Sequence, residues 1–141
     1  MSAVATRPRR TKAIVLGSLV LALSAVLATA AGFWWQERNR PSQASKADCA
    51  LAQQIVDDAQ KLPGDKVAVD KWEQDTMKMR RARMKDGYLG FNVAQYEEWA
   101  TDKARGEGTP PSDKQVLKLS DKANEHCADA KVAITFPPLA S

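Results

Sequence analysis

The chain has 141 residues, 44% of them hydrophobic, and a formal charge of +4 from 21 basic and 17 acidic side chains. A chain of this length holds one small domain and excludes two. Arg7, Arg9, Arg10 and Lys12 account for the whole excess, leaving basic and acidic residues balanced at 17 each elsewhere; this excludes a nucleic-acid module, which carries its positive charge on the folded part.

Those four cations define a basic tail over 1–12. It precedes an apolar run, Ala13 to Trp35, of 23 residues, with no charge between Lys12 and Glu37. At a rise of about 1.5 Å per residue such a helix covers roughly 35 Å, enough to cross a hydrocarbon core of about 30 Å. Trp34 and Trp35 fall where indole rings meet the headgroup layer, and the positive-inside rule keeps the preceding tail cytoplasmic. The expectation is therefore a transmembrane helix over 13–35, with everything after it outside the cytoplasm. The rival is a cleaved secretory signal, because Ala28-Thr29-Ala30 has the small-x-small form that signal peptidase reads. Apolar character continuing through Gly32, Phe33, Trp34 and Trp35 favours the retained anchor. Within the span Ser24, Ala28 and Gly32 recur every fourth residue, a strip that permits close helix packing or self-association into a homo-oligomer.

Residues 36–44 are polar, contain Pro41, and are expected to form a tether. A helical domain is expected over 45–134. Its first helix opens at Ser45-x-x-Asp48, which resembles a capping box, buries Cys49, Ala52, Ile55, Val56, Ala59 and Leu62, and ends at Pro63-Gly64. A second helix is expected from Lys66 to Asp86 on a stripe of Val69, Trp72, Thr76 and Met79, with Gly87 as its C-terminal cap. A third is expected from Asn92 as N-cap to Arg105, with Phe91 stapled onto Tyr96. After the Gly/Pro loop 106–111, Ser112-x-x-Gln115 caps a fourth helix on the stripe Val116, Leu119, Ala123, Cys127, Ala130 and Ile134. The tail, 135–141, is expected to be extended. The fold class is all-α: one transmembrane helix followed by an extracytoplasmic antiparallel bundle of about four helices.

Cys49 and Cys127 are the only cysteines, both beyond the span, and an even pair outside the cytoplasm is expected to form a disulfide. An antiparallel arrangement brings the start of the first helix and the end of the fourth together, pinning them close to the membrane.

Candidate chemistry is sparse. His126 adjoins Cys127, but consecutive helical residues point about 100° apart, so they do not form a nucleophile–base pair. One histidine and an oxidised cysteine pair leave only scattered carboxylates for a metal. Glu97, Glu98 and Asp102 are the carboxylates on which an enzyme without a recognisable motif would have to rely. No catalytic residue, cofactor or metal is therefore assigned.

The most distinctive feature is Met77 to Lys85, where Lys78, Arg80, Arg81, Arg83 and Lys85 occur with no acid among them. Flanking segments rich in acid make internal neutralisation the favoured reading; contact with anionic lipid or an acidic partner is the alternative. Tyr88-Leu89-Gly90-Phe91 is an apolar corner, expected to cover the bundle end and alternatively to dock a partner. The function expected is that of a membrane-anchored, non-enzymatic binding, scaffold or accessory subunit of a membrane complex. Its partners are then the bilayer and another membrane or extracytoplasmic protein. The alternative is a secreted binding or inhibitory protein cleaved after Ala30.

Overall fold

The computed structural model describes residues 9–139, with side chains described from Gly17 on. The basic tail expected over 1–12 lies outside the described side chains. Five helices and no strand occur among the described residues, and the chain divides into two units, Met1–Arg40 and Pro41–Ser141.

The first unit is one helix, α1 (Arg9–Arg38). Its segment Gly17–Arg38 is long and apolar enough to cross a membrane, and none of it is buried within the protein. Leu19, Val20, Leu21, Leu23, Val26 and Leu27 all stand exposed, as lipid-facing side chains do when only a helix satisfies the backbone. The hydroxyls at Ser24 and Thr29 donate back to the carbonyls of Val20 and Ala25 one turn earlier, which removes their need for another partner. The helix continues past Trp35, so that the Arg38 guanidinium lies 5.1 Å from the Trp34 ring centroid in a cation–π contact.

The second unit is built on α2 (Lys46–Ala59), α3 (Lys66–Arg83), α4 (Gly87–Arg105) and α5 (Asp113–Cys127). Ser45 caps α2 by accepting from the Asp48 amide, and the reciprocal capping box of Ser112 and Gln115 opens α5. Helix α4 packs against each of the other three and supplies Leu89, Val93, Tyr96 and Ala100 to the core. From α2 come Cys49, Ala52, Ile55 and Val56, and from α5 come Val116, Ala123 and Cys127. Helix α3 is the least embedded, burying only Val69 and Thr76. It folds back on α4 through two ion-pair groups: Arg80 with Glu97, and, nearer its start, Asp70 and Glu73 with Arg105. Gly106 ends α4 in the left-handed region at φ 71°, where a Cβ is penalised.

The disulfide joins Cys49 and Cys127 across a sequence separation of 78, with their Cα atoms 6.0 Å apart. Both residues are fully buried.

Four local expectations are corrected. Helix α3 stops at Arg83 rather than Asp86, because Met84 is extended and Asp86 turns its carboxylate to the Leu89 amide at 2.8 Å, capping the next helix. Gly87 consequently opens α4 instead of closing α3. Asn92 lies buried in the second turn of α4 and is not its N-cap, while Phe91 is 68% exposed and staples nothing.

What holds this junction is remote in sequence. The buried Asp48 carboxylate accepts from the amides of Lys85 and Asp86, at 3.1 and 2.9 Å. Asp48→Ala strands both donors, and leaving a buried donor unmatched costs about 1–3 kcal/mol. That loss is expected as a lower denaturant midpoint at unchanged slope; an unmoved midpoint contradicts the role given to Asp48.

The fourth helix also ends early, at Cys127 instead of near Ile134. Lys131 adopts a left-handed backbone at φ 56°, and the chain then runs without helix or strand through residue 139. Side-chain amides hold this tail much as a strand's neighbours would. Asn124 donates to and accepts from the Ile134 backbone, each at 2.7 Å, and Gln53 does the same for Thr135 at 3.2 and 2.8 Å. Phe136 and Leu139 enter the core, and the Tyr96 hydroxyl donates to the Pro137 carbonyl at 2.8 Å. Burial, with Asp57 assisting, pushes the Tyr96 phenol well above its ordinary pKa, so it remains a donor throughout the working pH range.

Candidate functional site

The segment 41–44 does not hang free. It lies along the last turn of α5, where the unpaired helix carbonyls need donors. The Ala44 amide donates to the His126 carbonyl at 2.7 Å, and the Gln43 side chain donates to Glu125 O at 3.0 Å while accepting from the Asp129 amide at 3.0 Å.

Ser42 thereby meets two polar side chains from distant parts of the chain. Its hydroxyl lies 2.7 Å from Asp86 Oδ2 and 3.1 Å from His126 Nδ1, and its carbonyl lies 2.7 Å from the same ring nitrogen. A carbonyl only accepts, so Nδ1 carries the hydrogen and donates it to Ser42 O. The hydroxyl then donates to Asp86. With Nδ1 already protonated, it is no base for that serine, and a serine, a histidine and an aspartate at these spacings are wired as a structural lock. Asp86 Oδ1 stands 3.8 Å from His126 Nδ1.

Above this lock the first turn of α4 presents Tyr88 and Phe91, 70% and 68% exposed. The Tyr88 ring stacks on His126, with centroids 5.8 Å apart and planes inclined by 7°. Residues three apart share a helix face, so the two rings form a ridge. On one side lies an open, mostly apolar cleft of about 680 Å³, walled by Ser42, Lys85, Asp86 and Gly87 as well as the two rings. On the other lies a smaller one of about 350 Å³, reaching Lys122, Glu125 and His126. Tyr88 is thus held by His126, and both rings border the two clefts.

The basic segment divides. Arg80 turns inward and donates through Nε and a terminal nitrogen to the two Glu97 oxygens, at 3.0 and 3.3 Å. Burial raises the Glu97 pKa above its ordinary value, and Arg80 partly opposes that rise. Lys78, Arg81, Arg83 and Lys85 stay exposed and make no ion pair within 4 Å among the described residues. Arg80 is thus the one of the five with an ion-pair partner within 4 Å among the described residues, while the Asp75 pKa is lowered by Lys71 and, at longer range, by Lys78. Met79 and Met84 pack against the core, the Met84 sulfur lying 3.4 Å from where a Cβ on Gly90 would stand.

The other carboxylates weighed in the sequence stand apart. Glu98 is exposed, and Asp102 lies 3.8 Å from Arg105, whose other partners are Asp70 and Glu73. Those hydrogen bonds raise the Arg105 pKa further above its already high value. Among the described residues no three His, Cys, Asp or Glu side chains gather as metal ligands would. Trp34 and Trp35 are exposed on α1, and Ser24, Ala28 and Gly32 lie one turn apart along it.

Ser42 and Asp86 are the site residues that sequence reasoning passed over. Asp86 had a visible signal, an aspartate three residues ahead of a buried leucine. Ser42 had none, since its partners lie 44 and 84 positions away. No family model, curated protein or solved structure matches the chain.

Proposed function

We propose that this is a single-pass membrane protein whose second unit stands outside the cytoplasm as a non-catalytic binding module, an accessory or scaffold subunit of a membrane complex. The observation that carries the reading is the Tyr88–Phe91 ridge, two large rings left side by side in solvent, whereas the other large apolar side chains exposed on this unit, Val67 and Leu117, belong to α3 and α5. Rigid aromatic side chains with open clefts beside them suit a docking surface, because little rotamer freedom is lost when a partner closes over them. The orientation is supported by the basic residues ahead of α1 and by the disulfide, a bond that persists in oxidising compartments. On this reading α2 to α5 form an antiparallel bundle pinned by that disulfide.

The test is a photoreactive phenylalanine analogue placed at Phe91 or, as control, at Val67, which is 74% exposed on α3. Illumination of cells producing the full chain is expected to give a discrete protein adduct from position 91 and none from 67, with intact mass showing an uncleaved N-terminus. Equal labelling from both positions overturns the docking surface. A chain beginning at Ala31 overturns the anchor and selects the secreted alternative.

A further inference from the structure

We propose that the protein docking on the Tyr88–Phe91 ridge does so with an amphipathic helix, carboxylates along one edge, laid in the groove between α4 and α5; this names the segment that the docking surface takes and rests on that reading of the ridge. Three observations carry it.

The first is continuity. The cleft of about 350 Å³ beside the ridge, which reaches Phe91, Asn92 and Lys122, adjoins another of about 260 Å³ lined by Trp99, Gln115, Lys118, Leu119 and Lys122. Lys122 walls both. As residue numbers rise along α4 from Tyr88 to Trp99, those of the facing α5 residues fall from His126 to Gln115, so the two clefts follow one seam between the helices. Helix α3 meets α4 through Glu97 and Arg105, whose side chains line neither cleft.

The second is charge. Lys114, Lys118 and Lys122 repeat every fourth residue, a spacing at which like charges destabilise a helix. Asp121 and Glu125 stand three positions beyond Lys118 and Lys122, yet neither lysine has an ion-pair partner within 4 Å among the described residues. Glu125 lines only the cleft at the Tyr88 end, while the Trp99 end holds two lysines and no carboxylate. The complementary surface therefore sets carboxylates against Lys118 and Lys122, one turn apart, and apolar side chains against Phe91 and Trp99.

The third is backbone geometry. No strand occurs among the described residues, so an extended peptide finds no sheet edge to join. Two helices packed side by side instead leave a groove that receives the side-chain ridge of another helix. Phe91 and Trp99 lie eight positions apart on α4, about 12 Å of helix rise, which matches anchors two turns apart on the incoming helix.

The experiment uses membranes from cells producing the full chain and a water-soluble carbodiimide, which joins a lysine amine to a carboxylate only where the two touch. Amide links from Lys118 or Lys122 are expected to the same protein that a photoreactive analogue at Phe91 labels, and none from Lys61, an exposed lysine just past α2. The linked peptide is expected to carry carboxylates three or four positions apart, with apolar side chains on the adjoining helix face. Lys118→Glu/Lys122→Glu, two exposed positions checked for unchanged thermal unfolding, is expected to cut the Phe91 adduct about tenfold or more, because like charges then face each other. Lys118→Arg/Lys122→Arg is expected to keep the adduct, since arginine holds the charge, and to lose the amide links. A Phe91 adduct indifferent to the glutamate pair, or a linked peptide without that spacing, overturns the inference and leaves the ridge as a docking surface. Amides from the two lysines only to a second copy of this chain also overturn it. Absence of any protein adduct at Phe91 overturns the docking reading itself.

Discussion

Replacing Cys49 and Cys127 together by alanine is expected to lower the unfolding free energy of the second unit by about 4.5 kcal/mol, the chain-entropy value for closing a loop of this length. The loop runs over a sequence separation of 78 and holds α3, α4 and most of α2 and α5. Severing it frees nearly the whole domain to sample open states. A second loss adds to the first, since both sulfurs are fully buried among α2 and α5 side chains and their removal thins that packing. Urea unfolding of the oxidised chain and of the double variant checks the expectation. A difference below about 1 kcal/mol would mean that the reduced unfolded chain is already as restricted as the oxidised one.

Arg80→Leu is the next largest. It leaves the Glu97 carboxylate, 4% exposed, without its cation, and breaking one side of a buried pair costs about 3–5 kcal/mol. Arg80→Leu/Glu97→Leu is expected to recover most of the loss, because neither charge then needs solvation. The pH dependence follows from the direction of the Glu97 shift. Its folded pKa lies above the unfolded value, so the folded state holds the proton more tightly. The associated stability is complete below the unfolded pKa and is lost as pH rises through the folded one. Without Arg80 that folded value climbs further. The deficit of the single variant should therefore be smallest in acid and grow toward neutral pH. A deficit independent of pH, or a double variant as unstable as the single one, contradicts this account.

Where the governing interaction was local, the sequence was a good guide. Ser45 and Ser112 cap helices through amides three residues away, and the α5 stripe reads at helical spacing as far as Cys127. The junction at 84–86 was less legible because two local signals misled. The stripe from Val69 to Met79 suggested continuation to Asp86, and Gly87 resembled a cap. What ends α3 is Asp48, at separations of 37 and 38, and no window on the sequence contains both partners.

The ridge was half legible. Tyr88 and Phe91 stood out as large rings beside a glycine, yet they were expected to close the bundle end. Starting α4 at Gly87 sets the helix phase instead, turning Leu89, Gly90, Asn92 and Val93 inward and the two rings outward. The seated tail was hidden for a related reason. Its backbone is matched by Gln53 and Asn124 side chains, which look like ordinary surface amides until the fold brings them to the tail's two sides.

The disulfide has a mechanical consequence as well. Tension applied between the anchor and the C-terminal end enters the second unit at Pro41 and first strips the 41–44 segment from α5. On reaching Cys49 it crosses the covalent bridge to Cys127 and leaves through the tail. The polypeptide between the two cysteines lies outside that path and feels no direct pull. Ser42 and Asp48 do lie in that path, so such a pull would strip the side chains that hold the start of α4 before any backbone between the cysteines came under load.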